Sequence, residues 1–497
     1  MVLKHVCGKK LIAGVSLLTL GLSTMSIPAF AEDFQTALVS AYQRSNLLHA
    51  ERARVREIDE NYVQAQAQGR VSVVGTASAG FSRSETPVTI FGGGIQKLKP
   101  RTAQLSIIQP LYQGGRVKGL KSQAKAGILS ARQGLRNAEQ NVLFSAASAY
   151  LDVIRDEQAA KIRRNNVNVL TRQQFAAQSR FDVGEGTRTD IAQAEARLAS
   201  ADIGLSQAEA QLAVSRAAYV RYMGHAPHAL SAPPKFVLPE TLLTAQLRAR
   251  ANNPQIVASR YNENATKAGI RVAKSAHKPI ISLNGGLQGS RDRRSESASI
   301  IAQIRVPIFS GGMNQSQVRA AKHAQIRSRF ETREAEQAID EAVANLWAQV
   351  IASGRALDSS RKQVAAAEIA FEGVELEQQV GTRTTLDVLN AEQELLNAKL
   401  TVIQAVRNLD LASYQLLVTM GGFDAYSLQL PVALYDPSKN FGEVTVGVLG
   451  GVSEKILGKL PTVSILKTKH LARILPKTQD VETINPVPEL ILLKQKK

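Results

Sequence analysis

The stretch Val380-Gly381-Thr382-Arg383-Thr384-Thr385-Leu386-Asp387 stands directly before a long apolar repeat. One large apolar residue recurs at every seventh position, as Val388, Leu395, Val402, Leu409 and Leu416. An alanine follows each of the first four after three positions. Large residues alternating with alanine in a heptad are typical of helices that supercoil at close range. The stretch is therefore predicted to turn the chain into a long coiled-coil helix.

The same pattern occurs a second time, 197 positions earlier. Val183-Gly184 precedes Asp190 as Val380-Gly381 precedes Asp387, and Thr187 corresponds to Thr384. The heptad residues are then Ile191, Leu198, Leu205, Leu212 and Tyr219. The sequence thus predicts one unit present twice, over residues 32–226 and 240–430. Residues 227–239 form a proline-rich linker, and residues 431–497 form a basic tail.

The first 31 residues have the features of an export signal. Three lysines precede an apolar run from Leu11 to Leu22, and Ala29-Phe30-Ala31 fits a cleavage site. The single cysteine, Cys7, falls inside this segment. Neither a disulfide nor a lipid anchor is expected in the mature chain.

The composition gives no indication of nucleic-acid binding or of catalysis. The net charge of +19 becomes 19 − 3 = +16 without the three lysines of the signal. The remaining basic residues are spread among Glu and Gln on predicted helical faces. We find no His/Asp/Glu cluster with metal-ligand spacing and no glycine-rich phosphate loop. We therefore expect no enzyme, no cofactor and no metal site.

Each repeat also contains two segments that alternate with period two. In the first repeat, a helix over 34–68 precedes strands at 71–82 and 102–111, with a loop from Arg83 to Arg101 between them. In the second, a helix over 240–276 precedes strands at 281–288 and 298–306, with a loop around Arg291 to Arg294. The strands are apolar on one face and small or polar on the other. Strands of about ten residues with this pattern are typical of outer-membrane barrels.

The period alone also fits a soluble hairpin with one buried face. Three features favour the membrane: the export signal, the lack of a core large enough to cover the hairpins, and aromatic residues Tyr112 and Phe309 at matching strand ends. Four strands cannot close a barrel, and every strand edge in lipid must be paired. Several chains must then share one barrel, and three would supply about twelve strands.

Together these residues resemble the TolC family of outer-membrane export channels. The most specific features are the duplication and the two turns, Phe181-Asp182-Val183-Gly184 with Thr189-Asp190, and Val380-Gly381-Thr382-Arg383-Thr384 with Asp387. The resemblance implies a mainly α-helical homotrimer whose α-helical barrel continues into an outer-membrane β-barrel with four strands per chain. It implies an exit channel in the outer membrane that extends into the periplasm and works with a periplasmic adaptor and an inner-membrane pump.

The resemblance also assigns roles at the two turns. The adaptor-docking tips are Val183, Gly184, Thr187, Val380, Gly381 and Thr384. A gate or latch would join Thr189 and Asp190 to Arg383 and Gln378, and Asp387 with Asn390 would form an entrance ring. From the residues alone, the favoured explanation is a helix-start carboxylate for Asp190 and a solvated side chain for Arg383.

Two positions depart from the family pattern. Members often carry tyrosine where this chain has Gln378 and a second aspartate where it has Asn390. We expect a weaker latch and a reduced affinity of the entrance for multivalent cations, although three close Asp387 side chains would still favour partial protonation and attract cations.

Three alternatives stay open. A structural coiled coil or trimeric adhesin without transport would explain the heptads, although not the two hairpins. Drug efflux and polypeptide secretion are not distinguished by the sequence. The basic loops, with Arg83, Lys97, Lys99, Arg101 and the stretch Arg291 to Arg294, fit either solubilising charge or contact with lipopolysaccharide phosphates. Arg305 fits a position in the pore.

Overall fold

A computed structural model describes residues 32–89, 92–290 and 295–446 of the chain. The predicted export signal, the loop residues Arg291 to Arg294 and tail residues 447–497 lie outside the described residues. None of the described helices has the length and apolarity that a membrane-crossing helix needs.

The described residues form long helices and two small sheets. The elements in chain order are α1 (Phe34–Arg44), α2 (Asn46–Ala67), β1 (Ser72–Ala79), β2 (Ser82–Thr89), β3 (Gly92–Leu98), β4 (Arg101–Gln113), α3 (Arg116–Asp182), α4 (Arg188–Met223), α5 (Leu242–Asn252), α6 (Pro254–Ser275), β5 (Ile280–Ser290), β6 (Ser295–Arg305), α7 (Met313–Gln379), α8 (Thr385–Thr419) and α9 (Ser438–Val446). Helices α3 and α7 each have 67 residues, which corresponds to roughly 100 Å.

The helix that precedes each hairpin is broken, which corrects the prediction of one continuous helix in each repeat. Between α1 and α2, the Ser45 side chain accepts a hydrogen bond from the Leu48 N–H. Between α5 and α6, the Asn253 side chain accepts from Gln255 and Ile256, and Pro254 follows as the first helical residue. Serine and asparagine are strong N-caps, and proline is tolerated only at the start of a helix.

The main sheet is antiparallel, with strand order β1-β4-β5-β6. Its register aligns the apolar positions of all four strands in rows across the sheet. One row is Val73, Ile107, Gly285 and Ile300, and the next is Gly75, Leu105, Leu287 and Ala298. The rows on the opposite face are mostly polar, for example Thr76, Gln104, Gln288 and Ser297, although Val74, Ile108 and Ile301 also lie on that face. The two-faced pattern predicted for each hairpin therefore extends over one four-stranded surface.

The segment predicted as a loop between Arg83 and Arg101 is instead a second antiparallel hairpin, formed by β2 and β3. Its glycines and prolines suggested a loop, but the register shifts only between Thr86 and Thr89, around Pro87. Proline is accommodated in strands at such irregularities. The hairpin therefore places Arg83 directly opposite Lys97.

The structural duplication has two offsets. Before the hairpins, α2 and α6 begin 208 positions apart, at Asn46 and Pro254. After the hairpins, α3 and α7 begin 197 positions apart, at Arg116 and Met313. The first repeat thus contains eleven additional residues within its hairpin, where β2 and β3 occur.

An aromatic cluster joins the two repeats at the start of α1, the middle of α3 and the last turns of α8. Phe34 of α1 packs edge-on against Tyr150 of α3, with ring centroids 5.3 Å apart, and Tyr414 of α8 packs 5.2 Å from Phe236. The Tyr414 hydroxyl donates to the carbonyl of Pro234. The predicted linker is thus part of this core.

The start of the predicted tail also packs against the helices. The Tyr435 N–H donates to the Tyr42 hydroxyl, and the Phe441 ring lies edge-on to Tyr62, 5.1 Å away. Residues just beyond Pro431 are therefore attached to α1 and α2.

The paired helix turns as candidate functional site

The turn between α3 and α4 reverses the chain within five residues. Gly184 adopts a left-handed backbone with φ of 84°, a conformation that favours glycine. The Glu185 N–H donates to the Arg180 carbonyl at 2.8 Å, and the Gly184 N–H donates to Phe181 at 3.0 Å. These bonds satisfy carbonyl groups at the end of α3, in the manner of a helix C-cap.

The turn between α7 and α8 has nearly the same geometry. Gly381 has φ of 80°, and its N–H donates to the Gln378 carbonyl at 2.9 Å. The Thr382 N–H and hydroxyl both donate to the Glu377 carbonyl. Each chain therefore presents two closely similar tips.

Both returning helices begin with a capping box. The N–H groups of Thr187 and Thr384 donate to the carboxylates of Asp190 and Asp387 at 3.0 Å. The two aspartate N–H groups donate back to the threonine hydroxyls at 3.2 Å. The hydrogen bonds from Thr384 lower the pKa of Asp387, because they favour the charged carboxylate. In the single chain the charged form of Asp387 is therefore favoured, whereas a ring of three close Asp387 side chains is expected to be partly protonated.

The four predicted latch residues do not meet within one chain. The Asp190 carboxylate is held by Thr187, and Thr189 is exposed. Arg383 donates from Nε to Glu377 Oε2 at 2.8 Å, and Gln378 donates to the Thr385 hydroxyl at 3.3 Å. The helix-start explanation for Asp190 thus describes the single chain.

The predicted docking residues lie at the tips and are open to solvent. Val183 is 71% exposed and Val380 is 76% exposed. A hydrophobic side chain at the end of a helix hairpin, with so little contact to its own chain, is available to a partner.

Sequence reasoning missed three polar contacts of the α3–α4 and α7–α8 hairpins. Glu377 binds Arg383, and Arg197 of α4 donates from Nη2 to Asn390 Oδ1 of α8 at 2.9 Å. Glu392 is buried between α8 and α3, where it accepts from Asn166 at 2.9 Å. The spacing of Glu377 and Arg383 across a turn was a usable signal, whereas Arg197 and Asn166 are brought to their partners only by helix packing.

The environment of Glu392 is unusual for a carboxyl group. Its second oxygen has no hydrogen-bond partner in the part of the chain that the structure describes. Burial raises its pKa to about 7; the nearby Glu375 also raises it, and the Asn166 hydrogen bond and Arg172 lower it. Desolvation disfavours the charged form of a carboxyl group.

Comparison with known proteins identifies the family. The family described as "Outer membrane efflux protein" matches residues 37–225 and 247–422, which include both turns and both long helix hairpins. The chain belongs to the outer membrane efflux protein family. It is 33% identical over 443 residues to the outer membrane efflux protein BepC of Brucella suis biovar 1, covering 88% of this chain and 95% of BepC.

Two further comparisons agree. The chain is 25% identical over 335 residues to the outer membrane protein TolC of Vibrio cholerae, covering 64% of this chain and 76% of that protein. The Campylobacter jejuni CmeC outer membrane channel has the same fold, with a TM-score of 0.68 at 16% identity over 82% of this chain and 88% of CmeC. The resemblance to TolC-like channels and the predicted fold class are confirmed. The protein is an efflux channel of the outer membrane.

Proposed function

We propose that three copies of this efflux protein form one pore, from the outer membrane to the helix tips in the periplasm. The observation that carries the proposal is the sheet β1-β4-β5-β6. It has an apolar face, and neither β1 nor β6 has a second strand partner among the described residues. A strand edge in lipid requires a partner, and β6 of one chain pairing with β1 of the next would supply it.

In this assembly residues 1–31 direct export and are removed. The tips at Val183 and Val380 receive a periplasmic adaptor, which joins the channel to an inner-membrane pump. The pump supplies the energy, and together with the adaptor it selects the drugs or secreted polypeptides that pass. The support at the tips is their paired geometry and their exposed valines.

The same assembly contains the latch. Arg383 would leave Glu377 and bind the Asp190 and Thr189 region across a helix-pair boundary, with Gln378 beside it. An arginine fork binds a carboxylate with two hydrogen bonds that break when helices shift. Asp387 and Asn390 would line the entrance, with one carboxylate per chain at that level.

A cysteine cross-linking experiment tests the assembly, and the single native cysteine, Cys7, lies in the removed signal. Thr76→Cys in β1 is combined in turn with Ser297→Cys, Ser299→Cys and Gln303→Cys in β6. Oxidation in intact cells should give covalent dimers and trimers in at least one combination. The control combines Gln104→Cys with Gln288→Cys, which pair directly within one chain. It should form an intramolecular disulfide and no covalent dimer or trimer. If the disulfide of this control forms but none of the β1–β6 combinations gives a covalent dimer or trimer, the shared barrel is excluded.

A second experiment tests the partners. Photo-crosslinking side chains placed at Val183 and Val380 should capture a periplasmic protein, identified by mass spectrometry. The same probe at exposed Ile369 of α7, away from the turn, serves as control. Equal capture from both places would argue against docking at the tips.

A further inference from the structure

The β2–β3 hairpin forms its own two-stranded sheet, and as far as Thr86 it keeps the register of the β1–β4 ladder. Ala79 pairs with Arg101 at the end of the β1–β4 ladder, and Arg83 pairs with Lys97 in the hairpin. Between them the Gly80 N–H donates to the Pro100 carbonyl at 2.9 Å. Because side chains alternate between faces along a strand, positions with odd numbers stay on one face throughout.

That face is the apolar one, and in an outer-membrane barrel the apolar face is turned towards lipid. On β1 and β4 its odd-numbered positions include Val73, Ala77 and Leu105. Phe81 follows beyond the end of β1 and is 66% exposed. An aromatic side chain at this place suits the boundary between hydrocarbon and headgroups.

The charges beyond Phe81 are segregated to the same face. From Ser82 to Thr102, every charged residue has an odd number: Arg83, Glu85, Lys97, Lys99 and Arg101. The even-numbered positions in this range carry no charge. Charge that served only solubility would have no reason to avoid the pore-facing side, since that side is also in water.

Arg83 and Lys97 stand directly opposite each other, and both are exposed. Like charges in that position destabilise a strand pair. Neither residue forms an ion pair within the described part of the chain. Among the described residues, the acidic ones on this face are Glu85, which pairs with Ile95, and Glu296, which pairs with Gly289. Four cations against two carboxylates leave the surface positive.

We propose that Phe81, Arg83, Lys97, Lys99 and Arg101 form a headgroup surface that binds phosphate-bearing glycolipid of the outer leaflet. From the membrane outward, the apolar strands end at Arg101, opposite Ala79; Phe81 and Lys99 follow at about one level, and the Arg83–Lys97 pair lies beyond them. This order of apolar strand, aromatic residue with cations and outermost cations matches hydrocarbon, interface and phosphate. Anionic headgroups attract each nearby Lys or Arg, and phosphate between Arg83 and Lys97 would turn their repulsion into attraction. The inference rests on the proposed orientation, in which the sheet end remote from the helices lies outside.

The test measures lipid binding to the purified full chain by native mass spectrometry. The probe is lipid A with two phosphates, compared with the dephosphorylated lipid and with inorganic phosphate. A quadruple variant carries Arg83→Gln, Lys97→Gln, Lys99→Gln and Arg101→Gln. The matched control removes four exposed cations of α7, as Lys322→Gln, Arg329→Gln, Arg355→Gln and Lys362→Gln.

The wild type and the α7 control should bind phosphorylated lipid A equally, and the quadruple variant should lose affinity about tenfold or more. Equal binding by the quadruple variant would overturn the proposal, as would equal binding of the dephosphorylated lipid. Full displacement of the lipid by millimolar inorganic phosphate would also overturn it, because the site would then be one for free anions.

Conductance and oligomeric state of the same samples separate this result from the channel proposal. A quadruple variant that stays trimeric and conducting while losing lipid supports the headgroup surface. A wild type that neither assembles nor conducts would count against the proposed assembly and the orientation on which the surface depends. Retained conductance together with unchanged lipid binding would count against the surface alone.

Discussion

The Nε of Arg383 lies 2.8 Å from Oε2 of Glu377, and both side chains are about half exposed. This ion pair holds the arginine against the end of its own helix hairpin. Solvent screens an exposed pair of this kind, which therefore adds little stability, so a carboxylate on a neighbouring helix can compete for the arginine. Glu377 is therefore a rival for the proposed latch partner, Asp190.

Replacing Glu377 by Gln should strengthen the closed state. Without its local partner Arg383 is available to Asp190, and the equilibrium should shift towards the closed state by roughly a few-fold. Single-channel recording in planar bilayers should show a lower open probability. Glu372→Gln, on an exposed position of the same helix, should leave the open probability unchanged. A higher open probability for Glu377→Gln would contradict the rivalry.

Removing a capping hydroxyl should loosen one tip at a time. Thr187→Val and Thr384→Val each delete an N-cap acceptor, at a cost of about 1 kcal/mol. Hydrogen exchange of the amides at Asp190 or Asp387 should become several-fold faster. Thr→Ser at either position should restore slow exchange, and Thr189→Val, which removes no cap, provides the comparison. Unchanged exchange in both valine variants would mean that the caps do not hold the tips.

Glu392 should make stability depend on pH. Its folded-state pKa of about 7 lies above the ordinary value of 4.5. Its favourable contribution is therefore complete below pH 4.5 and is lost as the pH rises towards 7 and beyond.

Glu392→Gln keeps an acceptor for Asn166 and carries no charge. It should raise stability at pH 8 by roughly 1–3 kcal/mol and change little at pH 4.5. Thermal unfolding in detergent across this range measures the difference. Glu394→Gln, exposed on the same helix, should change stability by the same small amount at both pH values. A stabilisation of Glu392→Gln that is the same at both pH values would argue against a protonation effect.

Gly421→Ala should be strongly destabilising. Gly421 has φ of 75°, and a Cβ there would overlap the Asn252 carbonyl group. Asn253, the next residue, caps α6 and donates to the Thr419 carbonyl at 2.8 Å. We expect a loss of at least 1–3 kcal/mol, measured as a lower unfolding temperature. Gly373→Ala, at a helical position with open space around its Cβ, should be tolerated.

The heptads and the alternating strands were readable from the sequence because each reports a local period. The positions of α3, α4, α7 and α8, and the apolar rows of the sheet, follow from those periods. The breaks at Ser45 and Asn253 were missed because a polar residue within a helical pattern fits both a solvated position and a cap. The β2–β3 hairpin was missed because its glycines and proline dominated the local signal.

The candidate site was readable to a lesser degree. The capping boxes follow from Thr187 with Asp190 and Thr384 with Asp387, each a local motif. The contact of Arg197 with Asn390 joins positions 193 residues apart and depends on how α4 packs against α8. The proposed latch requires more than one chain, so neither the sequence nor the single-chain structure contains its partners in contact.

The eleven additional residues of the first hairpin have a consequence for symmetry. Each chain has two nearly equivalent helix turns, but only one of its two β-hairpins is long. In the proposed trimer the periplasmic end is a pseudo-hexagon with six similar corners, whereas the outer mouth is a true triangle with three tall hairpins. A ring of six identical partner subunits would therefore find six similar binding positions at the periplasmic end. An antibody or a phage fibre would find only three equivalent epitopes at the outer mouth.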